Sequence, residues 1–199
     1  MPYEVIAAFL TGVLGPLLVL FVKYKTSQKK KPDILKECLE ESKQIQSKLE
    51  NIREEFNVDR IYIAQFHNGG NFYPTGKSLA KFSIMYEVVN VSVASIRIGF
   101  QNIPVNLFSR SINYLLEHDV IEIPDYKDET VATFGLKYIA EDFGCKSTYH
   151  FAIKSIDDKF IGILSIDFIK RKHKLAQEEV NKLRTHAATL GGVLAKKTI

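Results

Sequence analysis

The chain has 199 residues, 46% of them hydrophobic, 25% charged and 11% aromatic, with a net charge of +4. That length suffices for one domain and a short appendage, and the composition excludes a largely disordered protein. The positive excess is local: Lys23, Lys25, Lys29, Lys30 and Lys31 follow the first apolar run. The rest of the chain is close to neutral, so no basic face for nucleic acid is expected. The two cysteines, Cys38 and Cys145, have no CxxC spacing and no His-rich neighbourhood. They read as free thiols in a reducing compartment, with neither a disulfide framework nor a zinc site.

In chain order, the first element is Val5 to Val22 (VIAAFLTGVLGPLLVLFV), which carries no charge. At about 1.5 Å per residue it reaches roughly 27 Å, the thickness of a hydrocarbon core. A signal peptide would have a positive start and a small-residue cleavage site. Met1-Pro2-Tyr3-Glu4 has no Lys or Arg, and Lys23-Tyr24-Lys25 offers no A-x-A pattern. An uncleaved transmembrane helix is therefore predicted, with residues 1–31 as anchor and polybasic flank. The five lysines lie C-terminal to the span. The positive-inside rule then puts the following domain in the cytoplasm, in a single-pass protein of the inner or plasma membrane. Membrane lipid is accordingly an expected partner, met by the lysines at the headgroups. Ala8 and Gly12 have the small-xxx-small spacing of helix pairs, and Pro16 predicts a kink.

Residues 32–57 read as a connecting amphipathic helix. Asp33 is the expected N-cap. Leu35, Cys38, Ser42, Ile45, Leu49, Ile52 and Phe56 recur at alternating steps of three and four, a heptad stripe among charged residues. Two arrangements satisfy such a stripe. It can be a dimerising coiled coil, which would make the chain a homo-oligomer, or it can pack on its own sheet.

Residues 58–199 read as one α+β domain. Strands are predicted over Arg60 to Phe66, Lys81 to Asn90, Ala94 to Phe100, Val120 to Ile123, Lys146 to Ile153 and Phe160 to Ile169. Asn68-Gly69 is expected to turn the first strand, and Asp157-Asp158 to turn the last hairpin. Helices are predicted from Pro104 to Glu117, Thr133 to Phe143 and Leu175 to Ala195. The last repeats Ala176, Val180, Leu183, Ala187, Leu190 and Leu194 along one face. The segment FIGILSIDFI is nearly apolar on both faces, which places it centrally in the sheet. An antiparallel sheet with terminal helices on one face and crossover elements on the other fits this order.

Three stretches carry a family resemblance: Ile61 to Gly70, Gly144 to Ile153, and Ile161 to Phe168 with Glu178, Glu179, Val180 and Leu183 behind it. Together they make the segment from about Asp33 to Lys197 resemble a GAF domain, a relative of PAS sensor domains. The resemblance implies a six-stranded sheet and a ligand-sized pocket between sheet and crossover. It implies no activity.

The chain has no GxGxxG, P-loop, GxSxG or H-E-x-x-H motif. No catalytic residue, metal site or cofactor is expected, and the chain does not read as an enzyme. Cys145 and His150, five apart, are expected on opposite faces of a strand. The best candidate loop is His67-Asn68-Gly69-Gly70, where polar groups and bare backbone could meet a ligand. Tyr86 and Tyr149, with Phe151, are candidate pocket aromatics with polar tips. Predicted ligand-binding residues are thus His67, Asn68, Tyr86 and Tyr149. The expected function is that of a membrane-anchored GAF-like sensory or regulatory module, binding a small ligand or a partner protein as a dimer. An alternative comes from Gly162 to Lys197, which look similar to the end of T-even-type phage holins. That resemblance implies oligomerisation in the membrane for host lysis.

Overall fold

The computed structural model describes residues 3, 4, 8, 10–27, 33–71 and 74–195. These fall into two compact units that meet in sequence between Glu37 and Cys38.

In the first unit, a π-helical turn, Leu10–Leu14, leads into helix α1, Gly15–Ser27. The turn stops where Gly15 and Pro16 enter. Among the described residues, no helix is long and apolar enough to cross a membrane. Helix α1 has 13 residues, roughly 20 Å of rise, short of a bilayer core. Val5, Ile6, Ala7 and Phe9 of the expected span, and Lys29 to Lys31 of its flank, lie outside the described residues.

Helix α2, Ile34–Glu55, begins where expected, with Asp33 Oδ1 accepting hydrogen bonds from the Leu35 and Lys36 amides. Its stripe divides. Ile45, Leu49, Ile52 and Phe56 are buried within the chain's own core, whereas Leu35 and Cys38 are exposed. Of the two arrangements open to the heptad, packing on the sheet accounts for its C-terminal half.

The sheet comprises β1 (Arg60–Asn71), β2 (Ser78–Val89), β3 (Ile103–Pro104), β4 (Val120–Ile123), β5 (Ser147–Lys154) and β6 (Phe160–Phe168). The spatial order is β3-β2-β1-β6-β5-β4, and every pairing is antiparallel. Strand β6 is central, as its continuous apolar run requires. Between the strands lie a 3-10 turn (Val105–Phe108), helix α3 (Ser109–His118) and helix α4 (Lys137–Asp142); helix α5 (Gln177–Leu194) ends the fold.

Strand alternation sorts the core into two layers. Ile61, Ile63, Tyr149, Phe151, Ile153, Leu164, Ile166 and Phe168 pack with the buried stripes of α2 and α5. On the other face, Ala64, Phe82 and Ile84 pack with the loop residue Ile96. Leu115, Ile121, Ile123, Leu136 and Ala140 join α3 and α4 beside them. Terminal helices on one side and crossovers on the other is the predicted arrangement.

Two expectations are corrected. Ala94 to Phe100 is a loop, not a strand; the edge strand is Ile103–Pro104, paired with Phe82 and Lys81. The cause is a long-range contact, because the Glu87 carboxylate accepts hydrogen bonds from the Ile96 and Arg97 amides and so occupies backbone that a ladder would need. Nor is His67-Asn68-Gly69-Gly70 a turn. It continues β1, with His67 opposite Lys81 and Asn68 opposite Ala80.

Candidate functional site

The face of the sheet away from α2 and α5 lines a partly open cavity of about 90 Å³, the space open to the centre of a water molecule. Its floor is β1, β2, β5 and β6, and its roof is α3, α4 and the loop carrying Ile96 and Phe100. Phe82, Phe100, Phe108 and Phe143 supply rigid apolar walls, in two edge-on or tilted pairs with centroids 5.3 and 5.7 Å apart.

The polar part of the lining comes from strand positions in otherwise apolar sequence. Arg60 opens β1, Thr148 and His150 alternate on β5, and Ser165 and Asp167 alternate on β6. The register sets His150 opposite Ser165 and Arg60 opposite Asp167. Arg60 Nη2 lies 2.6 Å from Asp167 Oδ2, with both side chains 3% exposed. Arg60 Nε donates to the same oxygen at 2.8 Å. Asp167 Oδ1 accepts from the Thr148 hydroxyl at 2.9 Å. Arg60 Nη1 donates to the Ala94 carbonyl at 3.4 Å, and Nη2 lies 3.9 Å from Cys145 Sγ. Burial disfavours the guanidinium charge, but the Asp167 carboxylate, helped by Tyr62 and Cys145, offsets it, so the Arg60 pKa is held above its ordinary value.

His150 is 8% exposed. Its Nδ1 is 2.7 Å from Ser165 Oγ, and its Nε2 is buried without a hydrogen-bond partner. Burial pushes the imidazole down to about 4, partly opposed by Asp167, so the ring is neutral at pH 7. Burial likewise raises the Cys145 thiol, and Asp167 adds to the effect. The thiol therefore stays protonated, which does not suit a nucleophile. The expectation that Cys145 and His150 face apart is corrected: both line the cavity, because Cys145 precedes β5 and is not part of its alternation.

None of the four residues singled out from sequence lines this cavity. His67 Nε2 is 2.9 Å from Ser83 Oγ, which also accepts the Asn102 amide at 2.8 Å, so His67 buttresses the β2–β3 edge. Asn68 is exposed beside it. Tyr86 lies on the helix-covered side, its hydroxyl 3.5 Å from Ser42 Oγ. Tyr149, fully buried on that side, donates to the His173 carbonyl and accepts from the Leu175 amide, tying down the entry to α5. Tyr149→Phe is expected to cost about 1 kcal/mol in urea unfolding while leaving occupancy of the cavity unchanged. A variant that altered ligand binding as much as stability would return Tyr149 to the site. The polar residues that do converge had a legible signal: an Arg and an Asp inside strands that are otherwise apolar.

No family model matches the chain, and no curated protein does. Solved structures match in fold. The phycoerythrobilin-bound GAF domain of a cyanobacterial phytochrome superposes with a TM-score of 0.62 at 17% identity, over 81% of this chain and 89% of that one. The blue-light absorbing form of the Thermosynechococcus elongatus PixJ GAF domain gives 0.59 at 14%, over 80% and 89%. A far-red cyanobacteriochrome photoreceptor gives 0.56 at 15%, over 90% and 96%. The fold is therefore that of a GAF domain, as the sequence resemblance implied. The expected likeness to holins finds no support in these structures.

Proposed function

We propose that the chain is a sensory or regulatory module that takes a small ligand into the cavity between its sheet and α3–α4. One observation carries this reading: an apolar, aromatic-walled cavity contains a buried histidine whose Nε2 has no hydrogen-bond partner among the described residues. A buried polar nitrogen left without a hydrogen bond costs on the order of 1–3 kcal/mol, and a bound molecule would remove that cost. One solved GAF domain of similar fold carries bound phycoerythrobilin, which supports ligand capture by this fold. The test uses the full chain, in nanodiscs, with its isoleucine methyls labelled and phenol as the probe. Methyls of Ile84, Ile112 and Ile163 should shift, and those of Ile45, Ile52 and Ile166, on the far side of the sheet, should not. No shift at any cavity methyl would defeat the reading.

We also propose that the N-terminal segment anchors the module in a membrane with the domain in the cytoplasm. Leu17, Leu18, Val19, Leu20, Phe21 and Val22 are all exposed, a helix apolar all round, and such a surface suits lipid. Lysines follow it on one side only. Reporters active in only one compartment, fused to Ile199, decide the orientation; activity of a periplasmic reporter would reverse it.

The same reading makes the chain a dimer through the N-terminal half of α2, where the heptad stripe stays uncovered. Cys38 sits on that stripe and is exposed, whereas Cys145 is buried. Mild oxidation in membranes is expected to give a covalent dimer that Cys38→Ser abolishes and Cys145→Ser does not. A chain that stays monomeric on oxidation would remove the dimer from the proposal.

A further inference from the structure

Resting on the ligand-binding reading above, we infer that the cavity takes a small uncharged ring bearing one hydrogen-bonding group, which pairs with His150 Nε2.

The charge part of this inference follows from how the cavity uses its own ions. The lining holds one guanidinium and one carboxylate, Arg60 and Asp167, and they are bound to each other in two places. What remains of each is also engaged: Arg60 reaches the Ala94 carbonyl and Cys145, and Asp167 Oδ1 takes the Thr148 hydroxyl. An anionic ligand would have to draw Arg60 away and strand Asp167. A cationic one would strand Arg60. Either exchange leaves a buried charge unpaired, which is far more costly than a lost neutral hydrogen bond. The imidazole is neutral at physiological pH and so offers no cation to an anion.

The size and shape parts follow from the walls. A space of about 90 Å³ is nearer the roughly 150 Å³ that takes one benzene ring than the roughly 300–1,000 Å³ of pockets for drug-sized ligands. Phe82, Phe100, Phe108 and Phe143 present the apolar surfaces such a ring packs against. His150 Nδ1 is committed to Ser165, so Nε2 can make one bond, donating or accepting according to tautomer. A hydroxyl satisfies it in either state.

Four single-ring probes of similar size separate the possibilities: phenol, toluene, benzoate and benzylamine, each titrated at measured free concentration into the full chain in nanodiscs, read at the cavity isoleucine methyls. Phenol should bind about tenfold more tightly than toluene, the worth of one hydrogen bond. Benzoate and benzylamine should bind at least a hundredfold more weakly than phenol. In His150→Leu the preference of phenol over toluene should vanish while toluene still binds. Benzoate or benzylamine binding as tightly as phenol would overturn the uncharged class and leave the cavity reading standing, as would equal affinities for phenol and toluene in the unmodified chain. Failure of all four to shift any cavity methyl would overturn both.

Discussion

Asp167→Asn should lower the stability of the domain by about 3–5 kcal/mol, the largest loss expected of any single polar substitution here. The carboxylate is nearly inaccessible and meets Arg60 at 2.6 Å, so its removal leaves a guanidinium in an apolar layer with no counter-charge. Asparagine has almost the same shape, so the effect isolates charge from packing. For a chain of this size the loss corresponds to a fall of roughly 10 °C in Tm. The converse is equally informative. Removing both partners together, as in Arg60→Met with Asp167→Leu, should recover most of the stability, because a buried pair is worth little more than the apolar side chains that can replace it. Thermal unfolding of the single and double variants gives the answer. A single variant within 2 °C of the parent would mean that water reaches the pair.

Acid should destabilise the domain through His150. The unfolded chain takes up a proton on this ring near pH 6.5, whereas the folded chain resists until about 4. Between those values the unfolded state holds more protons, so stability falls as pH falls. Integrated from pH 7 to pH 5, the loss is about 2 kcal/mol. His150→Gln removes the titrating group, and its urea midpoint should change less over the same interval by that amount. Parallel curves for parent and variant would show that the ring is not shielded from water. A ligand on Nε2 that favours the neutral ring should push the acid limb lower still.

Much of the fold was legible, and the reasons are particular. The stripes of α2 and α5, together with the doubly apolar β6, placed the terminal helices and the central strand. Alternation and turn residues located β4, β5 and β6 nearly to the residue. What failed was governed by contacts distant in sequence. Ile96, Ile98 and Phe100 alternate like a strand, yet Ile98 is 91% exposed and Glu87 holds the backbone in a loop. Asn68-Gly69 is a strong local turn signal, but pairing with β2 holds at Asn68 and resumes beyond an irregularity at Asn71. The site was harder to read than the fold. Tyr86, Tyr149 and the His67-Asn68 pair have the chemistry of a site, but which face a strand residue occupies depends on register, and register places Tyr86 and Tyr149 beneath helices. Arg60 and Asp167 are 107 positions apart, and no local pattern joins them.

The single-residue alternation of β5 and β6 has an outcome for how this protein can change. Tyr149 fastens the helical side while His150, its neighbour in sequence, faces the cavity; Ile166 and Asp167 divide in the same way. The sheet thus works as a partition between two sets of positions interleaved along the same strands. Randomising Thr148, His150 and Ser165 would resample what the chamber accepts while the surface carrying α2 and α5 keeps its side chains. Divergent descendants could exchange one ligand for another and still share a helical framework, and similarity among them would concentrate on every second residue.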